Sequence, residues 1–215
     1  LQQFQQFIQA MAFHFVFSRY VISEGTVMTA LTGIILAGGQ GRRMGGLDKG
    51  LVQLDGRPLY QHVLERLRPQ VDIVMINANR NIDRYQLSGC RVIEDVFDDY
   101  PGPLAGIYSA LIAIEGEWAV FCSCDTPAIP LNFVEKLIHQ RREAPAVWVR
   151  SQTRDHPTLA LIHRDMAKAL FDYLQAGERR LMQFLRDHGG HAVALDDDES
   201  AFRNINTPDD LKERT

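Results

Sequence analysis

From Thr32 onward, short apolar runs alternate with longer segments of helical periodicity. The runs fall at 33–37, 71–77, 91–94, 118–124, 146–150, 157–162 and 191–195, and the helical patterns at 58–68, 104–114, 131–142, 165–175 and 178–187. A strand that is apolar at every position must be buried on both faces, and helix-length crossovers between such strands make βαβ units. Within the helical segments, Phe133, Val134, Leu137 and Ile138 share one face, and so do Leu104, Ile107, Tyr108, Leu111 and Ile112. The expectation is an α/β fold, a single three-layer α/β/α nucleotide-binding domain with a mostly parallel central sheet.

No repeat or linker interrupts 29–215, which reads as one domain. Residues 1–27 differ: they are rich in Gln and Phe, reach their first basic residue at Arg19, and show no small-residue cleavage pattern after the apolar stretch. His14 and Arg19 interrupt the stretch, so it is a poor membrane span. It is expected to be an extension outside the fold, with a docked amphipathic helix as the alternative. The balance of 23 Lys+Arg against 27 Asp+Glu leaves a net charge of −4, which provides no global field for a nucleic-acid backbone. Phosphate has to be gripped locally. Three cysteines, Cys90, Cys122 and Cys124, are an odd number with one C-x-C pair; that argues against a disulfide framework and a structural zinc, and for a reducing cytoplasm.

The chemistry concentrates after the first apolar run. The stretch from Leu36 to Lys49 contains five glycines, two arginines and a lysine. At the carboxyl end of a strand in an open α/β sheet, glycines let backbone N–H groups approach phosphate oxygens, and basic side chains supply charge. It is neither a dinucleotide fingerprint, which would need glycine at Met44, nor a P-loop, which would need lysine at Leu47. The run 118–124 leads directly into Asp125-Thr126-Pro127. A carboxylate there is well placed to hold Mg²⁺ beside substrate phosphates; a turn cap is the plain alternative. Asp95, after 91–94, carries the same two readings. Gly102-Pro103-Leu104-Ala105-Gly106 opens a helix whose N-terminus can face an anion or a base edge.

Taken in order, Leu-Ala-Gly-Gly at 36–39, Arg43-Met44-Gly45, Asp48-Lys49, Val92-Ile93-Glu94-Asp95, the Pro-Gly-Pro-Leu-Ala-Gly of 101–106, Cys124-Asp125-Thr126-Pro127 and Asn204-Ile205-Asn206-Thr207-Pro208 resemble the molybdenum cofactor guanylyltransferases. The resemblance runs from about Thr32 to Pro208. It implies a nucleotidyltransferase fold, Mg²⁺ as cofactor, GTP and molybdopterin as substrates, and proteins of molybdenum cofactor synthesis and insertion as partners. It further implies that Leu36, Ala37, Gly38 and Gly39 contact the nucleotide and Lys49 its phosphates. Asn77 and Asp95 match further GTP contacts, and Asp125 matches both a GTP contact and the metal ligand. Asn204 and Asn206 match positions on the pterin side, with Asn206 a second metal contact. Gln40 departs from a frequently basic position, and 1–27 has no counterpart.

The implied reaction is in-line attack of a pterin phosphate on the α-phosphorus of GTP, with pyrophosphate leaving. The attacking group is already anionic, so no Ser, Cys or His nucleophile is needed. What is needed is charge stabilisation, assigned to Lys49, Arg43 and Mg²⁺ on Asp125. The alternative function is a related nucleotidyltransferase that uses CTP with a pterin or sugar-phosphate acceptor; a non-catalytic nucleotide-binding protein is the other class.

Overall fold

The structure, a computed structural model, describes residues 30–39, 46–97, 102–206 and 210. The 1–27 extension, Gln40, Arg43 and the Thr207-Pro208 end of the last motif lie outside the described residues. Nine strands are present among those described: β1 (Thr32–Leu36), β2 (Gln53–Leu54), β3 (Arg57–Pro58), β4 (Ile73–Asn77), β5 (Arg91–Ile93), β6 (Trp118–Ser123), β7 (Ala146–Arg150), β8 (Asp155–His163) and β9 (His191–Ala194). The helices are α1 (Leu59–Leu67), α2 (Ile82–Gln86), α3 (Pro103–Ala113), α4 (Phe133–Gln140), α5 (Met166–Gln175) and α6 (Leu181–Asp187).

Seven strands form one sheet in the order β5-β4-β1-β6-β8-β7-β9. Successive side chains on a strand point to opposite faces, and both faces of the sheet are covered by apolar packing, as the apolar runs predict. Ile35, Val120, Cys122, Val147, Val149 and Leu161 pack with Tyr60, Val63 and Leu67 of α1 and with Phe133, Val134 and Leu137 of α4. Ile34, Leu36, Phe121, Trp148, Ala160 and Ile162 face the other way, against Leu104, Ile107 and Leu111 of α3, Leu170 of α5 and Phe184 of α6. The three-layer α/β/α expectation holds. On α3, however, Ile112 is 47% exposed, and Ala105 and Ala110 complete the buried face.

Three features go beyond the sequence reading. β8 runs antiparallel between β6 and β7. The turn from Ser151 to Arg154, closed by Ser151 N–H to the Arg154 carbonyl at 2.9 Å, is too short for a crossover, so the chain must double back. Second, β2 and β3 form a hairpin through Asp55 (φ 52°) and Gly56 (φ 74°). Asp-Gly with both φ values positive is the turn that matches strand twist, and it was legible in Leu54-Asp55-Gly56-Arg57. Third, α2 has only 5 residues, too few to show a period.

The sheet order positions the site. β1 pairs with β4 on one side and β6 on the other, with Leu36 level with Asn77 and with Ser123. The chain builds outward through β4 and β5, then returns to β6 across β1. That reversal opens a crevice beyond the carboxyl ends of these strands, where open α/β sheets bind ligands.

Candidate active site

The end of β1 is pinned from both flanks. Ala37 N–H donates to the Asn77 carbonyl at 2.8 Å, and Cys124 N–H to the Leu36 carbonyl at 3.1 Å. Leu36, Ala37, Gly38 and Gly39 therefore lead into the crevice between the ends of β4 and β6. Two polar groups flank them.

On the β6 side, the Lys49 ammonium donates to Asp125 Oδ2 at 2.5 Å and to Asn206 Oδ1 at 2.7 Å. Lys49 belongs to a single 3-10 turn, Lys49–Leu51; Asp125 follows β6. The pair is partly sheltered, with side chains 20% and 12% exposed. Thr126 Oγ1 donates to Asn204 Oδ1 at 3.1 Å, and it stands 3.3 Å from Asp125 Oδ1. Asp210 Oδ2 accepts the Asn206 N–H at 2.8 Å. A turn-capping role alone does not account for an Asp125 carboxylate whose strongest partner is an ammonium 76 residues away in sequence.

On the β4 side, Asp95 sits between two amides. Asn77 Nδ2 donates to its Oδ1 at 2.8 Å, and Asn79 Nδ2 to its Oδ2 at 2.8 Å. The Asp95 N–H returns a bond to Asn79 Oδ1 at 2.8 Å. Asn77 is buried, 2% exposed, beneath Gly38 and Gly106. A Cβ on Gly38 would fall 3.1 Å from Asn77 Oδ1 and 2.9 Å from Asn79 Nδ2, and one on Gly106 would collide with Asn77 Oδ1. Both glycines are needed for this close approach. The carboxylate keeps lone pairs beyond the two amides, so Asp95 is held in place with acceptor capacity to spare. The Asn77 amide nitrogen is engaged by Asp95 and, at 3.4 Å, by the Ile93 carbonyl.

The structure thus brings together Leu36, Ala37, Gly38, Gly39, Lys49, Asn77, Asp95, Asp125, Asn204 and Asn206 at one end of the sheet; Arg43 lies outside the described residues. Sequence reasoning missed Asn79 and Thr126, and also Arg80, Asn81 and Tyr85. Its one available signal was Asn77-Ala78-Asn79-Arg80-Asn81, a polar run at the end of a buried strand. Behind the site, burial, and after it the Asp125 charge, push the Cys124 thiol well above its ordinary range, so it stays protonated and inert. Burial likewise pushes the Tyr85 hydroxyl up, with help from nearby Cys124 and from its bond to Asp48; Tyr85 remains a donor.

A divalent ion fits the donor chemistry. Asp125 Oδ2 and Asn206 Oδ1 already converge on one cationic atom, and both are hard oxygen donors. Among the described residues, no group of three or more His, Cys, Asp or Glu side chains could cage a metal. An ion at Asp125 must draw further oxygens from bound phosphates, the usual habit of Mg²⁺.

The MobA-like NTP transferase domain family matches residues 33–193. A molybdenum cofactor guanylyltransferase of Serratia proteamaculans is 48% identical over 180 residues, which is 84% of this chain and 91% of the relative. The crystal structure of molybdopterin-guanine dinucleotide biosynthesis protein A from Archaeoglobus fulgidus superposes with a TM-score of 0.71 at 26% identity, over 85% of this chain and 95% of that one. A 4-diphosphocytidyl-2C-methyl-D-erythritol synthase from Anaerococcus prevotii reaches a TM-score of 0.69 at 13% identity, over 86% of this chain and 94% of that one, which is likeness of fold alone. With its motifs in order, its crevice assembled at the switch point and nearly half of its 180 aligned residues shared with the Serratia protein, this chain belongs to the molybdenum cofactor guanylyltransferase family.

Proposed function

We propose that the protein transfers GMP from GTP to molybdopterin, forming the guanine dinucleotide cofactor and releasing pyrophosphate. The observation that carries this reading is the Lys49–Asp125–Asn206 cluster at the carboxyl ends of β1 and β6, in a chain whose relatives are named for that activity. Gly38 and Gly39 leave the backbone open to phosphate oxygens. Lys49 binds the triphosphate and stabilises charge on the departing pyrophosphate. Asp95, fixed by Asn77 and Asn79, accepts from the guanine edge. Asn204 and Asn206 border the acceptor side. Asp125 and Asn206 would hold Mg²⁺ once the Lys49 ammonium turns from them to the triphosphate; the ion would neutralise the triphosphate and polarise the α-phosphorus. Arg43 is assigned a share of the phosphate charge from the family resemblance.

No helix among the described residues is long and apolar enough to cross a membrane, and the three cysteines are free and buried; a reducing cytoplasm is the setting we assign. The test is incubation with Mg-GTP and molybdopterin, assayed for the dinucleotide and for pyrophosphate, with CTP as competitor. Product from GTP that CTP does not suppress supports the reading. Product from CTP in preference to GTP overturns it.

A further inference from the structure

We propose that Arg80 is a positioning residue for the phosphate grip: it ties together the two flanks of the glycine-rich stretch and thereby fixes where Lys49 stands. The proposal rests on the nucleotide site assigned above. Arg80 lies three residues beyond the end of β4. Its Nη1 donates to the Gly46 carbonyl at 2.8 Å, and its Nη2 donates to the Leu47 carbonyl at 2.8 Å and to the Gly39 carbonyl at 3.3 Å. One planar guanidinium therefore spans from the residue that leaves β1 to the residues that lead into Lys49. A guanidinium can do this because its donors are spread in a rigid fork; an ammonium is a point charge on a flexible stem.

The neighbours of Arg80 complete the anchor. Asp48, directly before Lys49, accepts from Tyr85 Oη at 2.6 Å and from Asn81 Nδ2 at 2.9 Å, with Arg80 Nε at 3.8 Å. Gly50, directly after Lys49, lies so close to the Tyr85 hydroxyl that any Cβ there would collide with it. Lys49 is thus bracketed by two residues seated on the segment 80–85. Its own side chain has four rotatable bonds, so the ammonium is placed on Asp125 only as well as its Cα is held. A second consequence follows from the planar trans peptide: each carbonyl turned toward Arg80 directs the N–H of the next residue the opposite way. The Leu47 and Asp48 amides are accordingly turned away from the guanidinium. The Arg80 side chain is 35% exposed, where polar contacts contribute little to global stability. Its effect belongs in nucleotide binding.

The test is a double-mutant cycle on Mg-GTP affinity, measured by calorimetry with the full chain. Arg80→Lys keeps the charge and removes the fork. It is expected to weaken GTP binding about tenfold, the scale of a lost charge-assisted contact, and to leave the thermal midpoint unchanged. In a Lys49→Ala background the same change should cost less than about threefold, since the group it positions is gone. Equal losses in both backgrounds, or wild-type affinity in Arg80→Lys, would overturn the proposal. If Arg80→Lys does not fold, Asn81→Ala cuts the same anchor at Asp48 and is read in the same cycle. A wild-type protein that binds CTP and not GTP defeats the guanylyl reading alone, and the cycle run with CTP then decides Arg80.

Discussion

The Asp125 carbonyl accepts the Ile205 N–H at 2.8 Å, stitching the end of β6 to a segment near the C-terminus. This bond places Asn204 and Asn206 on either side of one anchored residue. The two asparagines flank Ile205; Asn204 accepts from Thr126 and Asn206 from Lys49. Ile205 is fully buried against Leu54 and Leu59. The apolar contact holds the segment, and the segment carries the two amides.

Lys49→Ala is expected to lower turnover by about 10²–10³, as for loss of one charge-stabilising donor, with an unchanged far-UV circular dichroism spectrum. Activity within about threefold of wild type at saturating GTP, less than ~0.7 kcal/mol of barrier, would remove Lys49 from the mechanism.

Asp125→Asn keeps the shape of the side chain and drops its charge. Turnover that depends on Mg²⁺ should nearly vanish, while the fold survives because the backbone bond to Ile205 remains. Near-normal activity with the normal Mg²⁺ requirement would mean that the carboxylate does no more than brace the turn.

GTP should be preferred over CTP and ATP by about 10² in kcat/KM, the product of two unpaired polar contacts at roughly 1–3 kcal/mol each. Asn79→Ala removes one of the amides that fix Asp95 and should shrink that preference without abolishing transfer. Steady-state kinetics with the three nucleotides tests both points; a preference for CTP, or an unchanged preference in the variant, contradicts the assignment of the base edge to Asp95.

Acid should weaken the fold in two separate windows. Burial, then the Arg154 charge, hold the His156 imidazole below its ordinary 6.5, with Glu199 and Asp155 opposing less strongly. A folded-state pKa below the unfolded one means that the unfolded chain takes the proton first. The His156 contribution is therefore full above 6.5 and is lost as pH falls through that value toward the folded one. Asp155, whose carboxyl is held below its ordinary 3.8 chiefly by the Arg150 hydrogen bond, loses its contribution only in stronger acid. Denaturant melts across pH should show the first loss in wild type and not in His156→Gln; parallel curves would refute it.

Removing residues 1–27, so that the chain starts at Met28, should leave stability and activity intact. Among the described residues, which begin at Ala30, the Leu31 N–H donates to Asp72 Oδ2 at 2.7 Å. A loss of several kcal/mol, on the scale of whole-domain stability, would show that the extension packs on the core.

What the sequence determined by itself was the layer architecture and the location of the chemistry. Apolar runs of strand length set between helical patterns read as strands of a covered sheet, and Leu36, Asn77, Asp95 and Asp125 fall at or just past strand ends because the runs stop there. Local turn chemistry was equally available in Asp55-Gly56, whose φ values follow from residue type. The tertiary structure alone decided who meets whom. Nothing local pairs Lys49 with Asp125, or seats Asp95 between Asn77 and Asn79, because those contacts form only when β1, β4 and β6 align in register and the 204–206 segment returns. The direction of β8 was likewise set by its pairing, since a buried strand has the same composition whichever way it runs. Arg80 stayed hidden for the same physical reason: its partners are backbone carbonyls, and every residue has one.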